Sequence, residues 1–167
     1  MKSCIILLAA GAFIAVVGCR PSGNESSSLG VSTNDTSHLD SLAHENPKAS
    51  DFVHRFKTYY SAIEKQDWPT TYDMRVDEFK HDVTRDFYLK EMAEYGKNWR
   101  LRSYKVIELE MSGGTNGNFD GAALIVQFKE NRMVNYSTVR WKKQRGVWLC
   151  DEPGLSDALL HSTRISD

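Results

Sequence analysis

Apolar residues recur along the chain with two different periods, and the change from one to the other divides the folded part in half. From Asp51 onward, Phe52, Phe56, Tyr59, Tyr60 and Ile63 fall three or four apart, the spacing that lines up side chains on one face of an α-helix. It predicts an amphipathic helix of about 14 residues, with Asp51 as its N-cap. Gln66-Asp67-Trp68-Pro69 ends that helix and starts a short second one. Asp67 can accept from amides that the first turn leaves free, and Pro69 lacks an amide that this turn would leave unpaired. Tyr72 and Met74 then face the core. A third helix follows Thr84, with Phe87, Tyr88, Met92 and Tyr95 on its apolar side and Gly96 as its stop.

From Tyr104 the period falls to two. Ile107, Leu109 and Met111 alternate with Glu108 and Glu110, as in a strand with one buried face. Ala122 to Phe128 is an almost continuous apolar run, Met133 to Trp141 makes a third strand and Val147-Trp148-Leu149-Cys150 a fourth. Gly113 to Asn118 and Lys142 to Gly146 supply the turn residues between strands. The second of these turns brings Trp141 and Trp148 together on paired strands, with Val139 and Leu149 expected on the same buried face. Helices first and a meandering antiparallel sheet second predict an α+β domain, N-terminal helices packed on an antiparallel sheet.

Ahead of this domain stand a positive Lys2 and an apolar run from Ile5 to Val17. At about 13 residues the run is shorter than the roughly 20 that a membrane-spanning helix needs, and it reads as a secretory signal. Val16-Val17-Gly18-Cys19 at its end resembles the lipobox of bacterial lipoproteins. The resemblance implies removal of residues 1–18 and acylation of Cys19 with diacylglycerol and a further, palmitate-like chain. Each buried methylene contributes about 0.8 kcal/mol, so several chains on one residue make an effectively permanent anchor to membrane lipid. Arg20, rather than Asp, follows the cysteine, which by the same resemblance favours the outer membrane in a Gram-negative cell. Residues 19–48 are rich in Ser, Asn, Thr, Gly and Asp and read as a flexible linker. A tether of about 30 residues has an r.m.s. reach of roughly 30 Å. The sequon spacing in Asn24-Glu25-Ser26 and Asn34-Asp35-Thr36 is read as linker composition. The folded domain is assigned to 49–153 and a C-terminal tail to 154–167.

The 167 residues carry a formal net charge of −1, with no basic footprint for nucleic acid. Of three cysteines, Cys4 leaves with the signal and Cys19 is acylated, so Cys150 stands alone and is expected to be a small core residue rather than a nucleophile. None of the five histidines forms an HxH or HExxH spacing, and no motif calls for a metal or a cofactor. Asp77 and His81 could share one helical face as an acid–base or metal pair. Arg75, Glu78, Lys80 and Arg85 around them instead suggest a solvated charged segment.

Ala62-Ile63-Glu64-Lys65-Gln66-Asp67-Trp68-Pro69-Thr70-Thr71-Tyr72 and the hairpin Val139-Arg140-Trp141-Lys142-Lys143-Gln144-Arg145-Gly146-Val147-Trp148 resemble NTF2-like domains of the cystatin-like α+β kind. That resemblance, over about residues 51–152, implies a curved sheet wrapped round helices to form a cone. In different members the cone holds a catalytic site, a small ligand or a partner surface, so fold alone does not choose among them. Enzymes of this type use Asp, His or Tyr in the cone. The resemblance therefore makes Tyr59, Tyr60, Tyr72, Asp73 and Tyr136 candidates for facing such a cavity, with packing in an aromatic core as their competing role. Because no catalytic motif of the family maps onto the chain, the favoured reading is a non-catalytic, membrane-anchored module of the cell envelope. It would be a monomer or weak dimer that binds a small apolar ligand or another envelope protein. The alternative is a small cofactor-independent isomerase, cyclase or hydrolase.

Overall fold

A computed structural model describes residues 34–113, 119–130 and 133–152. The expected signal, Cys19, the glycine-rich part of the first hairpin loop and the expected tail from 154 lie outside the described residues. Five helices precede four strands: α1 (Ser37–Glu45), α2 (Ser50–Lys65), α3 (Trp68–Asp73), α4 (Asp77–Asp82), α5 (Arg85–Gly96), β1 (Leu101–Gly113), β2 (Phe119–Glu130), β3 (Met133–Gln144) and β4 (Val147–Asp151). The strands form one antiparallel sheet in the order β1-β2-β3-β4, curved and unclosed, with helices packed against it. The expected α+β class is therefore what the chain adopts.

The three expected helices occur as α2, α3 and α5, and the Asp67 side chain accepts from the Thr70 amide as the sequence requires. Asp51 lies inside the first turn of α2 instead of capping it. The helix ends where Gln66 enters the left-handed region, and its side-chain amide donates to the carbonyls of Gly96 and Trp99. One side chain thus ties the end of α2 to the end of α5.

Ordered packing starts earlier than the linker assignment of 19–48 allows. Asp35 bridges to the edge of β1, its amide donating to Tyr104 and its carbonyl accepting from Val106. Helix α1 follows and buries Leu39 completely, with Leu42 and Ala43 packed beside it. Three apolar residues on one helical face suffice here because the sheet edge and α2 supply the rest of the buried surface.

The inward face of the sheet and one face of α2 make the main core. Phe52 contacts both hairpin tryptophans, with ring centroids 5.1 Å from Trp148 and 5.9 Å from Trp141. Both indoles are buried, as expected from the alternation. The β3–β4 turn is tighter than 142–146: Gln144 pairs with Val147, leaving Arg145 (φ 50°) and Gly146 (φ 81°) as a two-residue turn. Positive φ at both positions matches the right-handed twist of the flanking strands.

Two strand positions depart from simple alternation. Val106 pairs with Val126 and Glu108 with Ile125, so Ile107 is the extra residue of a bulge and turns outward, 39% exposed. Leu149 pairs with Lys142 and so points away from the face shared by Val139, Trp141, Trp148 and Cys150. It is buried even so, because α3, α4 and α5 form a second cluster with Trp68, Tyr72, Val76, Phe79, Val83, Tyr88 and Met92 around it. Strand β4 is therefore covered on both sides.

Candidate functional site

The described residues hold one buried charge, and backbone pairing puts it there. After α3 the chain runs alongside β4: the Cys150 amide donates to Met74 and the Val76 amide to Cys150, a short parallel bridge centred on Arg75. This turns Arg75 inward until only 2% of it is exposed. Its Nη1 donates to the Glu152 carboxylate and lies 3.6 Å from the Cys150 sulfur. The guanidinium sits 5.2 Å from the Tyr59 ring centroid and 5.1 Å from that of Phe79, within cation–π range. The Tyr59 hydroxyl, at 3.4 Å, also donates to Glu152. Arg75 Nε has no partner among the described residues. Arg75 does not belong to the solvated segment in which its neighbours suggested it; it is the polar centre between the two hydrophobic clusters.

The chemistry open to this group is narrow. Arginine holds its proton throughout the working range and cannot serve as a base. Burial pushes the Cys150 thiol well up, with Glu152 adding to the shift, so the nucleophilic thiolate is disfavoured. Burial raises the Tyr59 hydroxyl in the same way. These are properties of a charge-assisted lock that fixes the end of β4 to the α3–α4 connection, and they oppose proton or group transfer at neutral pH.

Of the five cavity candidates the structure brings together only Tyr59 and Tyr60, whose ring centroids lie 5.7 Å apart in the main core. Tyr59 faces the buried Arg75, and Tyr60 lies between Phe56 and Tyr104, 4.6 Å from each ring. Tyr72 belongs to the second cluster and donates to the Val83 carbonyl at 2.9 Å. Asp73 is at the surface, 3.8 Å from Arg85. Tyr136 is 62% exposed on the outward face of the sheet, where its hydroxyl accepts from Gln127. Asp77 and His81 also engage other partners, Asp77 bonding Arg145 at 2.7 Å and His81 bonding Asp82 at 2.9 Å. Among the described residues no three metal-binding side chains come together.

The sheet's outward face is a different kind of surface. In register across it stand Glu110, Ala123 and Arg140, and in the next row Ser112, Gly121 and Lys142. They border an open depression of about 370 Å³. At its floor a Cβ on Gly121 would lie 2.6 Å from the Ser112 hydroxyl, which would have to rotate away. A smaller depression of about 230 Å³ lies between the start of α2 and the β3–β4 turn, against Trp148.

Arg75 and Glu152 are the residues that sequence reasoning passed over. Their pairing depends on a contact between positions 77 apart, and nothing in the local pattern signals it. No protein-family model matches the chain, and no curated protein matches it either.

Proposed function

We propose that the protein is a membrane-anchored lipoprotein of the bacterial cell envelope, acting as a non-catalytic binding module. The observation that carries this reading is Val16-Val17-Gly18-Cys19 behind a short apolar run with a basic start. Acylation at Cys19 would anchor the chain in lipid, in the outer membrane if the cell is Gram-negative, and the described residues begin at Asn34. An NTF2-like arrangement is the finer fold assignment. Helices ahead of a four-stranded antiparallel sheet, and a closing hairpin with both tryptophans turned inward, support it.

The interior favours surface recognition of another envelope protein over capture of a small apolar ligand. Phe52, Phe56, Tyr59, Tyr60, Trp141 and Trp148 fill the space between α2 and the sheet with one another. The separation of Tyr72, Asp73 and Tyr136 from Tyr59 and Tyr60 and the buried thiol likewise speak for binding over an isomerase-like activity.

Cys19→Ala tests the anchor. The variant should lose incorporation of a labelled fatty acid and move from the membrane to the soluble fraction, because acyl chains are the anchor in this reading. Among the described residues no helix is long and apolar enough to cross a membrane. Unchanged membrane attachment with no lipid label in the wild-type protein would defeat the proposal.

A further inference from the structure

The two ends of the sheet expose different side chains. At the end where β2 leads into β3, Met133 is 64% exposed, Val134 53% and Tyr136 62%. Tyr95, also exposed, stands at the same end: its ring stacks on Trp99, just ahead of β1, and the Glu130 charge adds to the burial that pushes its hydroxyl up. Glu130 itself pairs with Leu101 and Met133. The carboxylates here are engaged, Asp35 by Lys105, Glu64 by Asn34, Glu94 by Lys97 and Glu130 by Asn135. Lys65, Arg100 and Lys129 hold no ion pair among the described residues, and Arg102 is exposed beside them. Glu91, one turn back on α5, and Glu108, further along β1, bound this basic and apolar patch. At the opposite end Val147 is exposed, but Arg145 is held by Asp77 and Lys142 by Asp151. The chain also enters the domain at the patch, where Asn34 accepts from the Tyr104 amide and Asp35 bridges to Lys105.

We infer that this end of the domain docks on the membrane surface, a bilayer carrying anionic headgroups. Met133 and Val134 point to opposite faces of the strand, so a hairpin that enters end-on offers both to the acyl chains. Tyr136 lies three positions up the strand, about 10 Å at a rise of about 3.3 Å per residue. Interfacial segments sink by about 5–10 Å, which leaves its ring and hydroxyl at the headgroup level that tyrosine favours. Lys129, paired in register with Val134, meets the headgroups together with Arg100 and Lys65, and each such base adds attraction to an anionic surface. The inference rests on the reading of Cys19 as the lipid anchor, which keeps lipid at a high local concentration and lets a weak contact persist. From Cys19 to Asn34 the chain spans at most about 50 Å, at roughly 3.5 Å per residue. It joins the domain at the apolar and basic end, so the anchor draws that end, and not the β3–β4 turn, towards the bilayer.

Lysine footprinting of the full-length protein on lipid vesicles, with a water-soluble acylating reagent, tests this. Lys129 and Lys143 are both exposed and mark the two ends of the sheet. In phosphatidylcholine vesicles with about a quarter phosphatidylglycerol, Lys129 should react at least about fivefold more slowly than Lys143, and the difference should shrink in phosphatidylcholine alone. The double change Met133→Ser with Val134→Ser alters two exposed positions and should restore the Lys129 rate while the chain still floats with the vesicles. Incorporation of a labelled fatty acid at Cys19 reads the anchor separately. A protected Lys129 in a chain that takes up no label would keep the docking surface and defeat the anchor. A labelled chain in which Lys129 reacts as fast as Lys143 would keep the anchor and overturn the docking. Protection that follows protein concentration instead of lipid, or that needs another envelope protein, would overturn it as well.

Discussion

Strand β4 separates two hydrophobic clusters of different construction. On one side Trp148 and Cys150 join a core drawn from α1, α2 and all four strands. On the other, Leu149 is the one strand residue in a cluster otherwise supplied by the 25 positions from Trp68 to Met92. The first cluster is closed by contacts between distant segments, and Phe52, Phe56, Val106, Val126 and Val139 in it are wholly inaccessible. The second is local, and Trp68, Tyr72, Met92 and Leu149 at its margin keep 7–8% exposure. Adjacent residues of one strand therefore report on two different kinds of packing.

Trp148→Ala should have the largest effect of any single substitution in this comparison. The indole packs on Phe52 at 5.1 Å and is 1% exposed, so its removal should destabilise by about 3–5 kcal/mol. That is a large part of the 5–15 kcal/mol that typically holds a domain together. Equilibrium denaturation of the variant checks this, and a loss near 1 kcal/mol would show that the main core collapses around the missing ring.

Leu149→Ala, one residue further on, should cost about 2–3 kcal/mol. It removes fewer atoms, and the short helices around it can close part of the gap. Amide exchange sharpens the contrast: protection in α3, α4 and α5 should fall while that in α2 and β3 holds. An equal loss in both regions would mean that the two clusters unfold as one unit.

Much of this arrangement is legible in the sequence, because periodicity reports which residues share a face. Phe52, Phe56, Tyr59 and Tyr60 mark α2, and the alternation around Trp141 and Trp148 marks the hairpin. Periodicity does not say what lies on the other side of an element. Leu149 sits on the face that alternation leaves outward, and only α3–α5 folding back over β4 make that face an interior. Arg75 escapes for the same reason, since its neighbours are charged and its burial is imposed by Cys150, 75 positions away. Ile107 looks like a core residue until the bulge shifts the register behind it. Tyr59 and Tyr60 meet in the main core, but Tyr72, Asp73 and Tyr136 lie elsewhere, so a list of suitable residue types could not define a site.

The segment ahead of α2 gives the smallest and most specific prediction. Residues 34–48 carry linker-like composition, yet the Asp35 carboxylate binds Ser37 at the start of α1 and reaches Lys105 on β1. The carboxylate accepts from the Ser37 hydroxyl at 2.8 Å and the Ser37 amide at 3.1 Å, and Lys105 lies 3.2 Å away. These hydrogen bonds, the hydroxyl's first, bring its pKa down from 3.8 to about 2. A carboxyl group whose pKa is lower in the folded chain adds stability when ionised. The contribution is complete above the unfolded value of about 4 and disappears as pH falls towards 2. Asp35→Asn lacks it at every pH. Denaturation profiles of the two proteins should therefore differ at pH 6 and converge between pH 4 and pH 2. The same experiment on a chain beginning near Pro47, which also lacks Leu39 of the main core, should show a larger deficit that does not close with acid. A gap for Asp35→Asn that stays constant down to pH 2 would mean that the charge on Asp35 does not hold the segment in place.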